Sequence, residues 1–231
     1  MSAMAIETIT KDCAALTDAE LSAFGALAEA HGVPLDQEFL EAEREAWVLC
    51  ALATDAERIV GGMLFTLERI GGTPCVLVDL VVTTPKELEE LTLASLLHEA
   101  YGRALLAFPD EDVLVAAKLG SPTGFDVMAG LEDVVPRPGH RPTGEERAWS
   151  RRLAKRFGLD AGLDDRTSGV RAGERTVGFV VYRLADDAPT GFDEVFSCCK
   201  EGEADVLIAF GWAMAEGLAD GSLPPVPGAQ H

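Results

Sequence analysis

From residue 47 to residue 82 the apolar residues come in short unbroken runs separated by turn residues, and from 88 to 108 they recur every third and fourth position. Cys75-Val76-Leu77-Val78-Asp79-Leu80-Val81-Val82 is rich in β-branched residues, as a strand buried on both faces should be. Thr83-Thr84-Pro85 ends it, residues 88–108 then predict a long helix, and Asp110-Glu111 turns the chain into a second buried strand, Val113-Leu114-Val115-Ala116-Ala117. A crossover of this length between two apolar strands is a βαβ unit, so the strands should run parallel.

Upstream, residues 5–10 alternate apolar and polar, which predicts a strand exposed on one face. Thr17-Asp18-Ala19-Glu20 matches a capping box and opens a helix with Leu21, Phe24, Leu27 and Ala28 on one face, stopped by Gly32-Val33-Pro34. A second, acidic helix is expected from Asp36 through Phe39 and Leu40 toward Ala46. Strands at 47–53, 58–67 and 75–82 then form a meander, with Gly61-Gly62 fitting a bulge and Gly71-Gly72 a hairpin turn. The predicted order is β-α-α-β-β-β-α-β, followed by a helix start at Ser121-Pro122-Thr123-Gly124-Phe125.

After Leu131 the composition changes, which divides the chain into a core at 1–131 and a distinct part at 132–231. A Pro-rich link leads to Thr143-Gly144-Glu145-Glu146, a second cap, and to a helix whose Trp149, Leu153 and Phe157 recur every fourth residue. A late strand at 176–184 and a terminal helix at 204–218 complete the prediction. On that helix Phe210, Trp212, Met214 and Leu218 would either pack on the core or support a homodimer.

Composition narrows the function. The chain has 231 residues, 48% hydrophobic and 25% charged, which is globular and large enough for a sizeable core. Its net charge of −20 repels nucleic acid and anionic membranes. No run approaches the roughly 20 apolar residues that span a bilayer, and Met1-Ser2-Ala3-Met4 does not read as a signal peptide, so a cytoplasmic location is expected. Cys50 and Cys75 lie in apolar runs and read as inert buried thiols. Cys198-Cys199 lacks a second pair and the histidines share no ligand spacing, so no metal is expected, and a structural or incidental role is assigned to the pair.

There is no Gly-x-Gly-x-x-Gly and no Walker loop, and Gly120-Ser121-Pro122-Thr123-Gly124 has the wrong spacing for a nucleophile elbow. Asp79 interrupts an apolar strand, where burial would raise its pKa toward that of a general base; alternatively it turns to a solvated face or satisfies a turn. Lys118, also ending an apolar strand, is placed either to pair with Asp79 or to snorkel to the surface. Arg137, His140, Arg141, Arg147, Arg151, Arg152, Lys155 and Arg156 cluster in an otherwise acidic chain. They either neutralise an acidic surface internally or clamp an anion.

This element order resembles that of the GNAT acyltransferases, which move an acyl group from coenzyme A to an amine. The resemblance covers about residues 5–131, with the strand at 176–184 as a late member of the sheet. It implies an α/β fold with a central mixed sheet flanked by helices, acetyl-CoA or another acyl-CoA as donor, and a small-molecule amine as acceptor. It further implies that the backbone of Leu80, Val81 and Val82 holds the acyl-pantetheine and that Lys86 to Leu91 replaces the family's glycine-rich pyrophosphate loop. Asp79 would then deprotonate the amine and Tyr182 would protonate the leaving sulfur. The chain departs from the family in two places. Pro85-Lys86-Glu87-Leu88-Glu89-Glu90 has no glycine and three carboxylates, and Phe125 stands where a tyrosine acid is often found. Two alternatives therefore stand beside the enzyme: a non-catalytic relative that binds a metabolite or partner protein, and an acyltransferase whose donor is a carrier protein docked on the Arg-rich helix.

Overall fold

The structure is a computed structural model that describes residues 6–85, 88–171, 179–181, 191–199 and 205–225. The first half follows the hydrophobic pattern closely. β1 (Glu7–Asp12), α1 (Asp18–Ala30), α2 (Gln37–Ala46), β2 (Leu49–Asp55), β3 (Arg58–Ile70), β4 (Thr73–Thr83), α3 (Glu89–Ala107) and β5 (Val113–Leu119) appear in the predicted order. α1 opens with the expected capping box: the Thr17 hydroxyl accepts from the Glu20 N–H at 3.3 Å, and the Glu20 carboxylate accepts from the Thr17 N–H at 2.8 Å. Caps of this kind contribute about 1 kcal/mol.

Downstream come β6 (Glu132–Val135), α4 (Gly144–Arg156), β7 (Leu163–Asp164), β8 (Gly169–Val170), β9 (Val180–Val181), α5 (Phe192–Phe196), β10 (Val206–Ala213) and α6 (Ala215–Ala219). Among the described residues these strands form one sheet in the order β1-β2-β3-β4-β9-β5-β10-β8-β7, with β6 also paired to β10. β4 and β5 run parallel, as the crossover through α3 requires. The described strands after residue 131 thus extend the same sheet.

The largest departure from prediction is near the C-terminus; smaller ones are the 3-10 turn at Pro122–Met128 where a helix start was expected and β6 at the beginning of the expected irregular link. The segment expected to be a terminal helix is β10, antiparallel to β5 from Leu207↔Leu119 to Ala213↔Val113, and only the short α6 follows it. Val-Leu-Ile-Ala-Phe-Gly-Trp-Ala is apolar at almost every position, so it buries both faces as an interior strand. Phe210 and Leu218, for which core packing and a dimer face were the two expectations, are both buried.

Alternation along the strands sends one set of side chains to each face. Val76, Val78, Val113, Val115 and Ala117 meet Leu93, Leu96, Leu97, Ala100 and Ala104 of α3. Leu77, Leu80, Val82, Leu114 and Ala116 meet Leu21, Phe24 and Ala28 of α1, Leu40 of α2 and Leu153 of α4. The predicted bulge is present: β2–β3 pairing steps from Ala53↔Gly61 to Thr54↔Ile59, leaving Val60 unopposed. The two glycines beside it let helices approach both faces. A Cβ at Gly61 would come within 2.3 Å of Thr92 on α3, and one at Gly62 within 2.1 Å of the Phe24 ring on α1.

Candidate active site at the fork between two parallel strands

A second bulge, in β4, builds the site. Pairing with β3 steps from Phe65↔Val78 to Leu64↔Leu80, so Asp79 has no partner on that side. The β4–β5 ladder ends at Val78↔Ala117. The next residues on the two strands are Asp79 and Lys118, and their side chains form an ion pair across the crotch of the fork. Beyond it the strands separate and β9 lies between them, with Val180 paired to Val81 on one side and to Leu119 on the other. The Val81 N–H donates to the Phe179 carbonyl at 3.2 Å. The Phe179 ring covers Gly120 so closely that a Cβ there would lie 2.5 Å from it.

The ion pair is almost sealed, with Asp79 1% and Lys118 3% exposed. That makes it a functional candidate as well as a structural one, because isolated buried charges are costly. Lys118 Nζ also lies 5.2 Å from the Phe157 ring centroid and 5.9 Å from that of Trp47. The face of an aromatic ring attracts a cation at such distances. The third member is Glu43 of α2. Its Oε2 and the Asp79 Oδ2 are both buried without a donor, while the two carboxyl groups lie within hydrogen-bonding reach. A proton held between them satisfies both atoms. Burial first, then this bond to Asp79 and the Asp79 charge, push the Glu43 carboxyl up to about 8, against the opposing pull of Lys118. Near neutral pH Glu43 is therefore held protonated beside the Asp79–Lys118 ion pair.

A consequence for stability follows. A carboxyl raised from 4.5 to about 8 favours the folded state fully at low pH, and that contribution is lost as pH rises toward 8. The melting temperature should fall between about pH 5 and pH 7, and Glu43→Gln, which keeps a donor for Asp79, should flatten that slope. Thermal melts of both proteins across that range check it; parallel slopes would show that Glu43 is ionised throughout.

The other predicted residues are dispersed. Leu80 and Val82 turn their side chains into the core beneath α1, and Val81 turns to the α3 side. Leu91 is 48% exposed on α3. Lys86 and Tyr182 lie outside the described residues. The N-terminus of α3 carries its own carboxylate: Glu89 is buried, 3.8 Å from His31 Nε2, which also reaches the Thr83 carbonyl at 2.9 Å. Phe125 is buried against Phe192, with ring centroids 4.0 Å apart.

The Arg-rich helix is largely neutralised within the molecule. Arg147 and Arg151 both pair with Asp165, Arg156 binds Glu68 at 2.8 Å, and Arg137 and His140 share Glu146. Sequence reasoning missed Glu43, although a signal was present. Leu40, Glu43 and Trp47 follow one another at helical spacing, which places a carboxylate on the inward stripe of α2.

No protein-family model matches the chain, and no curated protein matches it by sequence. Solved structures with a similar course include ElaA from Escherichia coli, at 14% identity and TM-score 0.41 over 61% of this chain and 95% of that one. A GNAT-family acetyltransferase from Bacillus cereus matches at 11% identity and TM-score 0.37 over 90% and 97%. One from Brucella melitensis, solved with acetyl-CoA, matches at 18% and 0.36 over 55% and 83%. In this molecule the strand order, the β4 bulge and the parting of β4 from β5 are what place the site.

For an acyl-CoA donor the fit is partial. Two parallel strand edges face each other across a gap one strand wide, which suits an extended arm. β9 fills that gap, and the carboxylate of Glu89 stands at the helix N-terminus where a diphosphate would gain from the dipole. In this arrangement β9 holds the place between the strand edges that an extended thioester arm would take. No helix among the described residues is long and apolar enough to cross a membrane.

Proposed function

We propose that the chain is an N-acyltransferase whose reacting centre is the fork between β4 and β5, with Asp79 as the acceptor of the amine proton. The observation that carries this reading is the position of the Asp79–Lys118–Glu43 cluster, at the first residue pair beyond the end of the ladder. An amine that forms a new bond to an acyl carbon must lose a proton, and an ionised carboxylate beside the bond is placed to take it. Asp79 alone would then become neutral and leave Lys118 unbalanced in a sealed site. Glu43, the less buried carboxyl, relieves this by passing its own proton outward as Asp79 accepts one, so the cluster stays without net charge. An acyl-CoA thioester, when bound, supplies the activated acyl carbon and a thiolate leaving group. The acceptor class is a small-molecule amine.

This reading requires β9 to leave the gap. A second reading, favoured by the commitment of the Val81 N–H to Phe179, is a non-catalytic GNAT-like protein whose fork is permanently closed by its own chain. Calorimetric titration with acetyl-CoA separates them. Val180, 1% exposed, can be replaced by Asp to weaken the seat of β9 without altering β4 or β5. If a closed form competes with the ligand, Val180→Asp should bind acetyl-CoA about tenfold more tightly or better than the unaltered protein. Absence of heat with both proteins at millimolar ligand would discard the donor and leave the closed fork.

A further inference from the structure

The five cysteines fall into two groups. Cys13, Cys50 and Cys75 are fully buried, and burial pushes each thiol well above its ordinary value. Cys198 and Cys199, in the turn after α5, are half-buried with their sulfurs 3.9 Å apart. Cys198 lines a cavity of about 280 Å³ with Arg137, His140, Arg166, Thr167 and Glu194. Its sulfur packs on the backbone of β8, where a Cβ at Gly169 would lie 2.8 Å away.

We propose that Cys198 is a peroxide-reactive thiol opening into this cavity, and that Cys199 is its resolving partner. The geometry makes the division: Cys198 is in the lining of the cavity and Cys199 is not, while the two sulfurs are in contact. The electrostatics of the pair agree with it. Hydrogen bonds from Cys199, and then from Thr167, hold the Cys198 thiol down to about 7 despite burial, so a large share is thiolate at neutral pH. The same bond holds the proton on Cys199, whose thiol is raised, so the pair divides into one nucleophile and one proton donor. The chemistry needs a hydroperoxide as oxidant. The Cys198 thiolate attacks the nearer peroxide oxygen, the O–O bond breaks, and a sulfenic acid forms with release of hydroxide or alkoxide. The Cys199 sulfur then attacks the sulfenic sulfur, the S–O bond breaks, and its proton leaves with the hydroxyl as water. Two thiols are oxidised to one disulfide, and the peroxide is reduced to water, or to an alcohol and water.

The test is peptide mass mapping of the full chain after brief treatment with hydrogen peroxide. The peptide containing both residues should lose the mass of two hydrogens, while those bearing Cys13, Cys50 and Cys75 stay unchanged. Cys199→Ser should halt the reaction at a sulfenic acid that dimedone traps on residue 198. Alkylation of the unaltered protein by iodoacetamide gives a reading independent of any variant, and its rate at Cys198 should rise with a midpoint near pH 7. Equal reactivity of all five cysteines, no trapped sulfenic acid in Cys199→Ser, or an alkylation midpoint near that of a free thiol would each overturn the assignment.

Discussion

Lys118→Met is expected to cost the fold about 3–5 kcal/mol at neutral pH, because it leaves the Asp79 carboxylate sealed without its counterion. Met has similar length and is apolar, so the packing between Trp47 and Phe157 is largely retained and the loss is electrostatic. Asp79 cannot turn to water, since the β4 bulge fixes its backbone and only 1% of the residue is exposed. Nor can it borrow the Glu43 proton completely without leaving Glu43 charged in its place. Part of the loss should return in acid, where the second carboxyl protonates and the cluster again carries no charge. Urea denaturation at pH 7 and near pH 4 measures both effects. A loss below about 1 kcal/mol would mean that the pair behaves as a solvated surface bridge.

Asp79→Asn is the variant with the largest expected effect on catalysis. It keeps the shape of the side chain and a hydrogen-bonding oxygen for Lys118, but it cannot accept the amine proton. Turnover should fall about 10²–10⁴-fold, the usual contribution of a positioned general base, with little change in the KM for the amine. The fold should survive better than in Lys118→Met. Burial still opposes ionisation of Glu43, but with the Asp79 charge gone its carboxylate can more readily form and balance Lys118. An unchanged rate in Asp79→Asn would remove Asp79 from the mechanism whatever the role of the fork.

The first half of the fold was legible because its signals were local. The apolar run with Asp79, the helical repeat over α3 and the caps at Thr17 and Thr143 each fix an element without help from distant residues. β10 was misread because periodicity cannot separate a strand buried on both faces from a buried helix, and what decides is the free edge of β5 that it covers. The same limit applies to the site. Asp79 and Lys118 stood out as charges in apolar strands, so their pairing was open to inference. Glu43 reaches them only because α2 crosses that face of the sheet. The filling of the fork by Val180 and Val181 depends on a return of the chain from 61 residues after Leu119, which no local pattern encodes.

The most direct test of N-acyl transfer at the fork is the rate of free thiol release from acetyl-CoA in the presence of a panel of small amines. The expected result is release that requires both protein and amine, yields the acylated amine in equal amount, and is lost in Asp79→Asn. Acetyl-CoA binding without amine-dependent release for any amine, or release that persists undiminished in Asp79→Asn, would contradict it.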